Sequence, residues 1–543
     1  MADAVPDLGT MHHRPLLVAT VIAVATTGAA YVFGPKAQAE QEKGGKKPAT
    51  AVATSRVASA ESSPNCPADA AFPKRELRGV WIATVRNIDW PSKTGLSVQR
   101  QQAEYTRILD EAVKRRLNAV FVQVRPAGDA FYRSDLEPWS QFLTGKVGGD
   151  PGWDPLPFLI AEAHKRGLEF HAWFNPYRAA DDANLSALPA NHPARRNPGW
   201  VVKYGGRAYY NPGLPEVREH VVKVVTDVVR RYDVDGVHFD DYFYPYPVQG
   251  ARFDDAAAYK KYGKGKPLAE WRRDNVNRLV AEVSDAVHRT KGWVKFGISP
   301  FGIWRNKAQD PTGSDTNGMS AYDAIHADAR HWIRSGTVDY ILPQLYWSRG
   351  NKAASYSVLL PWWAKEVRGT DVHLYIGQAL YRVGSKDEPA WTKAGELPAH
   401  IALDRKQPEV KGDVYFSAKQ LLTNPLGVLD RIVADHYRRP ALLPLIKGLD
   451  GGKPAKVTDL KAEGTTLSWT SSPGARAYAV YRVSGKGDAC ATASARNLVA
   501  VVPATGGARQ SYTIRATGTY YVTALDRLHH ESAAARVTVA NVG

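Results

Sequence analysis

The sequence predicts an α/β fold, in which a (β/α)8 TIM barrel is followed by a small all-β, immunoglobulin-like sandwich. Two observations support this prediction. From residue 76 onward, short β-branched or aromatic runs alternate with amphipathic helical stretches, and there are eight such runs. After residue 440 the helical period disappears, and apolar and polar residues alternate around turn residues. Strands that alternate with helices indicate a parallel sheet, and eight such units indicate a closed barrel.

Eight apolar runs predict the barrel strands, and amphipathic patterns such as those at 99–116, 215–232 and 269–289 predict helices between them. The runs are RGVWIATV (78–85), AVFVQVRP (119–126), EFHAWFNPYR (169–178), DGVHFDDY (235–242), VKFGISPFG (294–302), DYILPQLYW (339–347), HLYIGQALY (373–381) and GDVYFSAKQ (412–420). We expect the barrel domain to cover residues 73–445.

The C-terminal residues 453–543 predict a β-sandwich, since their alternating pattern shows no helical period. The spacing of five apolar and aromatic residues resembles that of a fibronectin type III domain, and we expect these side chains to be core. They are Leu460, Trp469, Tyr478, Tyr481 and Tyr520.

The N-terminal segment has the order of a secretory signal. His and Arg precede an apolar run from Pro15 to Phe33, and Ala37-Gln38-Ala39 follows it. We therefore predict a signal peptide or an uncleaved membrane anchor over 1–39, a flexible linker over 40–72, and a secreted or envelope-associated protein. Any membrane contact is expected only through this segment.

Composition narrows the set of partners. The net charge of +17 would suit nucleic acid or a polyanionic cell wall. No zinc-finger spacing, phosphate-binding loop or basic helix supports nucleic acid, so we expect none, whereas anionic wall polymers fit. The two cysteines, Cys66 and Cys490, either form one disulfide or remain free thiols. No cofactor is expected, and no metal, since His238 and the two acids beside it lack a second histidine at ligand spacing.

Polar and aromatic residues gather where the predicted strands end. In barrel enzymes the working side chains project from these carboxyl ends, and such a mixture suits a carbohydrate, whose hydroxyls need fixed donors and whose ring faces pack on aromatic side chains. We expect the following residues to bind substrate: Arg125, Asp129, Asn175, Tyr177, Arg178, His238, Tyr242, Trp304, Gln344, Tyr346 and Trp347.

The adjacent acids Asp240 and Asp241 are the candidate catalytic pair. Cleavage of a glycosidic bond usually uses two carboxyl groups, and one ionised carboxylate raises the pKa of its neighbour. Strand alternation places His238 and Asp240 on the inward face, with Val237 and Phe239 beneath the helices. Asp241 has the other parity, but it stands at the strand tip, where it can lean over the cleft. Asp129 is the alternative second carboxylate. In a structural interpretation, Asp241 caps a turn and Asp240 pairs with Arg125 or Arg178.

Six blocks in order resemble the family-10-like glycosyl hydrolase domain of bacterial envelope proteins, over roughly residues 73–440. They are RELRGVWIATVRNIDWPS (75–92), VQVRPAGDAFYRSDLEPWS (122–140), FHAWFNPYR (170–178), DGVHFDDYFYP (235–245), ISPFGIWRN (298–306) and LPQLYW (342–347). The resemblance implies an exported glycosidase-like barrel. Characterised members of this family look like hydrolases of peptidoglycan strands stripped of their stem peptides.

Two further resemblances concern the mechanism. DGVHFDDY is similar to the D-G-x-D-x-D-x-E motif of family-18 chitinases, although Tyr242 stands where the catalytic Glu would be and His238 stands at an Asp position. The adjacent acids also resemble the Asp-Asp pair of the O-GlcNAc hydrolases. That likeness implies that Asp240 orients the substrate's acetamido group and Asp241 is the general acid.

These observations predict an exported glycoside hydrolase that cleaves N-acetylated cell-wall glycan, with peptidoglycan strands as the favoured substrate. Two alternatives remain open from the sequence: hydrolysis of another extracellular polysaccharide, and a non-catalytic protein that binds cell-wall glycan.

Overall fold

A computed structural model describes residues 66, 69–485 and 487–540 of the chain. The predicted signal or anchor over 1–39, and most of the predicted linker over 40–72, lie outside these residues. Within the described ranges, no helix combines the length and apolarity needed to cross a membrane. The barrel and the sandwich described below belong to one compact unit of the chain.

Eight parallel strands close into a barrel, which confirms the predicted fold class. β1 pairs with β2 on one side and with β8 on the other, so that the sheet has no free edge. The strands are β1 (Leu77–Ile82), β2 (Ala119–Arg125), β3 (Glu169–Phe174), β4 (Gly236–Phe239), β5 (Lys295–Ile298), β6 (Tyr340–Ile341), β7 (His373–Gln378) and β8 (Val410–Tyr415).

One main helix follows each barrel strand. Four of these eight helices begin where a capping side chain satisfies a free backbone amide: for example, the Ser97 side chain accepts from the amide of Arg100 ahead of α1, and Asp154 accepts from that of Leu156 in α2. The helices are α1 (Val98–Lys114), α2 (Pro155–Lys165), α3 (Pro215–Arg231), α4 (Leu268–Thr290), α5 (Ala329–Ser335), α6 (Tyr356–Val367), α7 (Glu396–Asp404) and α8 (Val428–Asp435).

The barrel strands separate two apolar layers, as strand alternation requires. Val237 and Phe239 of β4 belong to the layer between the strands and the helices. His238 points into the barrel instead, where its ring nitrogens lie 3.0 Å from the Ser299 hydroxyl and 3.1 Å from that of Tyr340. The parity predicted for β4 is therefore confirmed, and the strand delivers its next residues to the barrel mouth.

The C-terminal region forms two antiparallel sheets, in the orders β9-β10-β13 and β12-β11-β14-β15. Trp469, Tyr478 and Tyr520 are buried in the core that includes residues of both sheets, and Tyr481 is buried in a neighbouring cluster, as predicted. The strands are β9 (Thr458–Glu463), β10 (Thr466–Thr470), β11 (Ala477–Val483), β12 (Leu498–Pro503), β13 (Arg509–Thr513), β14 (Gly518–Leu525) and β15 (Ala535–Val539).

The sandwich contacts the barrel at the amino ends of the strands. Arg75, which precedes β1, donates to the carbonyl oxygens of Leu443 at 2.7 Å and of His529 at 3.0 Å. Arg527 of the sandwich donates to the Asp235 carboxylate, just before β4, at 2.8 Å. Cys66 and Cys490 form a disulfide with a Cα–Cα distance of 5.6 Å, which answers the question left open by the sequence. The carboxyl ends of the strands remain free for chemistry.

Candidate active site

The carboxyl ends of the barrel strands meet in a mouth that long loops surround. The loop between β3 and α3 carries a small antiparallel sheet of its own, formed by Arg178–Ala180, Val201–Tyr204 and Arg207–Tyr210. The segment that follows β4 packs against this sheet, because the Tyr204 hydroxyl accepts from the amide of Val248 at 2.7 Å. One wall of the mouth is therefore built from the loops after β3 and β4.

Asp240 lies at the centre of the mouth, directly after β4, with 5% of its surface exposed. Its carboxylate accepts three hydrogen bonds, from the Asn175 side-chain amide at 2.6 Å, the Trp173 indole at 3.2 Å and the backbone amide of Tyr242 at 3.0 Å. Burial raises the pKa of Asp240, while the Arg178 charge and the three donors oppose that rise. The three donors and the cation favour the ionised form of this carboxylate.

Asp241 is equally buried, at 4% exposure, but has fewer donors. One carboxylate oxygen accepts from the Gln344 amide at 3.1 Å, and the other accepts from the Tyr246 hydroxyl. Burial, followed by the neighbouring Asp240 charge, raises the pKa of Asp241 to about 7. The two acids thus have different surroundings: three donors and the Arg178 charge oppose the effect of burial on Asp240, whereas the Asp240 charge adds to it on Asp241, which can hold a proton near neutral pH.

A chain of amides fixes the donor that faces Asp240. Gln123 of β2 donates to the Asn175 carbonyl oxygen at 2.6 Å, which leaves the Asn175 NH2 group to face the acid. The Gln123 oxygen is held in turn by the backbone amides of Thr84 at 3.0 Å and Val85 at 2.9 Å. The ends of β1, β2 and β3 therefore cooperate to orient one hydrogen bond on Asp240.

An aromatic row runs along the wall beside the acids. The Trp347 ring lies 5.5 Å from that of Phe301, which lies 6.3 Å from that of Tyr246. Tyr246 is 5.2 Å from Tyr242, and the Arg178 guanidinium stacks 3.9 Å from the centre of the Tyr242 ring. Tyr242 and Tyr246 are half-buried and carry polar tips, so they provide flat surfaces on which sugar faces can pack, whereas Phe301 and Trp347 are buried behind them at 5% and 9% exposure.

Tyr346 lies on the opposite side of the mouth. Its ring is 5.7 Å from Tyr381 and 6.2 Å from Phe416, which follows β8. Burial and then nearby acidic groups, among them Asp241, raise the pKa of Tyr346, so its hydroxyl stays protonated. Gln344 and Tyr346 thus both lie near the acid pair, after the end of β6.

Arg125 was predicted to contact substrate, but it lies below the mouth. It is fully buried, and its guanidinium makes two bonds to the Glu137 carboxylate, at 2.7 and 2.5 Å. A third bond goes to the backbone carbonyl oxygen of Asn175. The geometry corrects the prediction: Arg125 supports the loop that presents Asn175, and its donors are not available to a ligand.

Three further residues that were predicted to bind substrate are buried and do not line the mouth. Tyr177 is fully buried, and its hydroxyl has no hydrogen-bond partner among the described residues. His238 is also fully buried, inside the barrel beneath the acids. Trp304 is 4% exposed, donates to Asp328 at 3.0 Å and lies under the Arg330 guanidinium of α5. These side chains pack the fold, so we no longer assign them to the substrate.

Asp129 occupies a separate buried position in the loop after β2. Its carboxylate accepts from the Ala127 amide at 3.1 Å, and 4% of its surface is exposed. Burial raises the pKa of Asp129 to about 7, the Ser140 hydroxyl opposes that rise, and the Glu137 charge adds to it. Asp129 therefore lies close enough to Glu137 to feel its charge, and among the described residues it shares no hydrogen bond with Asp240 or Asp241.

Sequence reasoning assigned no substrate or catalytic role to three residues of the mouth: Trp173, Gln123 and Tyr246. Strand alternation could have identified Trp173, because it shares the inward face of β3 with Asn175. Tyr246 follows the acids in an irregular loop, where no periodicity indicates direction. No group of three or more His, Cys, Asp or Glu residues suited to a metal ion occurs within the part of the chain that the structure describes.

Comparison with known proteins identifies the family of this chain. Residues 76–393 match the family described as glycosyl hydrolase-like 10. The chain is 48% identical over 482 residues to the glycosyl hydrolase YngK of Bacillus subtilis (strain 168), covering 86% of this chain and 93% of that protein. It is 42% identical over 372 residues to the glycosyl hydrolase DigH of Escherichia coli (strain K12), covering 64% and 84%. A β-amylase catalytic domain from Paenibacillus polymyxa aligns with a TM-score of 0.45 and 11% identity, over 67% of this chain and 98% of that one. The chain therefore belongs to the glycosyl hydrolase-like 10 family and is a glycoside hydrolase.

Proposed function

We propose that this glycoside hydrolase cleaves N-acetylated cell-wall glycan, and specifically peptidoglycan strands that have lost their stem peptides. The observation that carries the proposal is the unequal acid pair: Asp240 accepts from three donors, whereas Asp241 has fewer donors and a pKa raised to about 7 by burial and by the Asp240 charge. A carboxylate that stays ionised can accept the N–H of an acetamido group. A neighbouring carboxylic acid can protonate the leaving oxygen.

In the proposed reaction Asp240 orients the acetamido group, whose carbonyl oxygen attacks the anomeric carbon as the glycosidic C–O bond breaks. Asp241 gives its proton to the departing oxygen. Water then opens the cyclic intermediate, and the water's proton returns to the Asp241 carboxylate. Gln344 and Tyr246 hold Asp241 in place, while Asn175 and Trp173 hold Asp240.

Export of the protein is part of this proposal. The Cys66–Cys490 disulfide supports it, because such bonds persist in oxidising compartments. The net charge of +17 supports contact with anionic wall polymers. We also propose that the C-terminal sandwich is fibronectin type III-like, since its seven strands divide into sheets of three and four.

Purified denuded glycan and intact peptidoglycan test the substrate. We expect new reducing ends and short GlcNAc–MurNAc fragments from the denuded glycan, detected by mass spectrometry, and little release from intact peptidoglycan. The heat-inactivated enzyme serves as the control for chemical breakdown. Equal release from both substrates would contradict the requirement for bare strands, and no release from either would contradict the proposed substrate.

The pH dependence follows from the acid pair. Asp241 must be protonated to act as the acid, so we expect kcat/KM to fall as the pH rises through about 7, where burial and Asp240 place its pKa. At low pH, kcat/KM should fall again as Asp240 takes up a proton, which gives a bell-shaped profile. Initial rates on denuded glycan between pH 4 and 9 measure both limbs. An activity that keeps rising above pH 8 would contradict the role given to Asp241.

A further inference from the structure

Arg178 differs from Arg125 and Arg305, two other arginines in the loops after the barrel strands, in the pairing of its guanidinium. It is half-buried at the end of the aromatic row, with its guanidinium flat against the Tyr242 ring at 3.9 Å. Arg125 is committed to Glu137, and Arg305 is committed to Asp323 at 3.0 and 3.1 Å. Among the described residues, the Arg178 guanidinium has neither a hydrogen bond nor an ion pair within 4 Å.

The Arg178 donors also keep contact with solvent. None of its three nitrogens is among the fully buried polar atoms that lack a partner, so each keeps contact with solvent. Stacking on Tyr242 fixes the plane of the guanidinium while leaving its N–H groups free. A rigid, unpaired donor fork beside a reaction centre is suited to a planar anion, because the fork matches both oxygens of a carboxylate.

An acidic sugar bound at the mouth would need a nearby cation to offset the negative charge of the acids there. In the proposed reaction Asp240 is ionised, and it would repel a second carboxylate bound nearby. The nearby Asp181 already has Arg86 within 3.8 Å as a partner. The Arg178 charge acts on Asp240, where it opposes the rise in pKa that burial causes. A neutral glycan would need no such compensation.

We propose that Arg178 is a specificity residue that binds a carboxylate on the substrate, so that the enzyme prefers an N-acetylated glycan carrying an acidic substituent over a neutral one. This inference rests on the proposed function, in which that group is the lactyl carboxylate of the muramic acid residue. The guanidinium contacts both oxygens of that carboxylate, so a positive charge without the fork geometry does not give the same recognition.

Binding to the inactive full-length Asp241→Asn protein tests this inference apart from hydrolysis. The two probes are denuded glycan and the same glycan with its carboxylates converted to methylamides. We expect the acidic glycan to bind at least about tenfold more tightly, the scale of one hydrogen-bonded ion contact. Calorimetric titration measures both dissociation constants. Equal binding of the two probes, or binding of neither, would overturn the inference whatever the wild-type enzyme hydrolyses.

Three variants made in the Asp241→Asn background assign the preference to Arg178. Arg178→Gln should reduce the ratio to within about twofold through weaker binding of the acidic glycan, and Arg178→Lys should give an intermediate ratio because it keeps the charge without the fork. Arg305→Gln, which removes the same charge from an arginine committed to Asp323, should keep the full ratio. If Arg178→Gln weakens both probes equally, Arg178 only positions Asp240 and the inference fails.

Discussion

Asp241→Asn is expected to lower kcat on denuded glycan by a factor of about 10² to 10⁴, the usual contribution of a positioned general acid. The amide has the size of the acid; its oxygen can still accept from Gln344, and its NH2 group can donate to the Tyr246 hydroxyl oxygen, so the fold should persist. Thermal unfolding should show an equal or slightly higher melting temperature, since the substitution removes a buried acid whose pKa its surroundings raise. Rates from reducing-end assays and a melting curve measure the two effects.

A substrate with an activated leaving group identifies the role of Asp241. An oligosaccharide aryl glycoside with an acidic phenol needs little protonation, so Asp241→Asn should retain most of its activity on that substrate and lose the alkaline limb of the pH profile. Asp240→Asn should be impaired on both substrates, because it removes the group that orients the acetamido. Asp182→Asn, an exposed acid in the loop after β3, is the matched control. If Asp241→Asn keeps the alkaline limb, the group with a pKa of about 7 is Asp129 instead.

The position of the acid pair could be derived from sequence because strand alternation is a local property. The apolar pair Val237 and Phe239 fixes which face of β4 is outward, and this places Asp240 at the inner rim. That step needs no knowledge of distant residues. The same reasoning recovered the eight strands, since each apolar run is bounded by turn residues and followed by an amphipathic helix.

The partners of individual polar groups could not be derived in this way. Arg125 has the inward parity of a cleft residue, but Glu137, twelve positions later in a loop, takes its guanidinium. Tyr246 reaches Asp241 only because its irregular loop bends back over the mouth. Pairings set by loop conformation leave no periodic signal, and they decided which of the predicted contacts remain at the site.

Asp235 illustrates the same limit, because it is the first acid of DGVHFDDY, the stretch that resembles the chitinase motif. It lies at the opposite end of β4 from the acid pair. Its carboxylate accepts from the Arg527 guanidinium at 2.8 Å, from His164 at 2.7 Å and from the amide of Phe170 at 2.8 Å. Burial alone would raise the pKa of Asp235, but His164 and Arg527 outweigh it and lower the pKa. The residue therefore joins the sandwich to the barrel.

Asp235→Ala should lower the free energy of unfolding by about 3–5 kcal/mol, the usual cost of removing one partner from a buried ion pair. The substitution leaves Arg527, 12% exposed at its side chain, without its buried carboxylate. Asp233→Ala is the matched control: its carboxylate contacts the same arginine but is 44% exposed, so its removal should cost at most about 1 kcal/mol. Urea unfolding of both variants gives the two values. Equal losses would contradict the argument from burial.

The pH range of this stabilisation follows from the directions of the two shifts. Asp235 has a lowered pKa, so its contribution is present above the ordinary value of 3.8 and is lost as the pH falls through the lowered pKa. His164 has a pKa raised by Asp235 against the effect of burial, so its contribution is full below 6.5 and is lost as the pH rises through the raised value. The difference in the free energy of unfolding between wild type and Asp235→Ala should therefore be largest between about pH 4 and 6.5.

The activity of the folded Asp235→Ala variant is a separate expectation. Because the contact of Asp235 with the sandwich lies at the amino end of β4, kcat/KM of this variant should stay near wild type. A loss of kcat matching that of Asp241→Asn would show instead that the two ends of β4 are coupled.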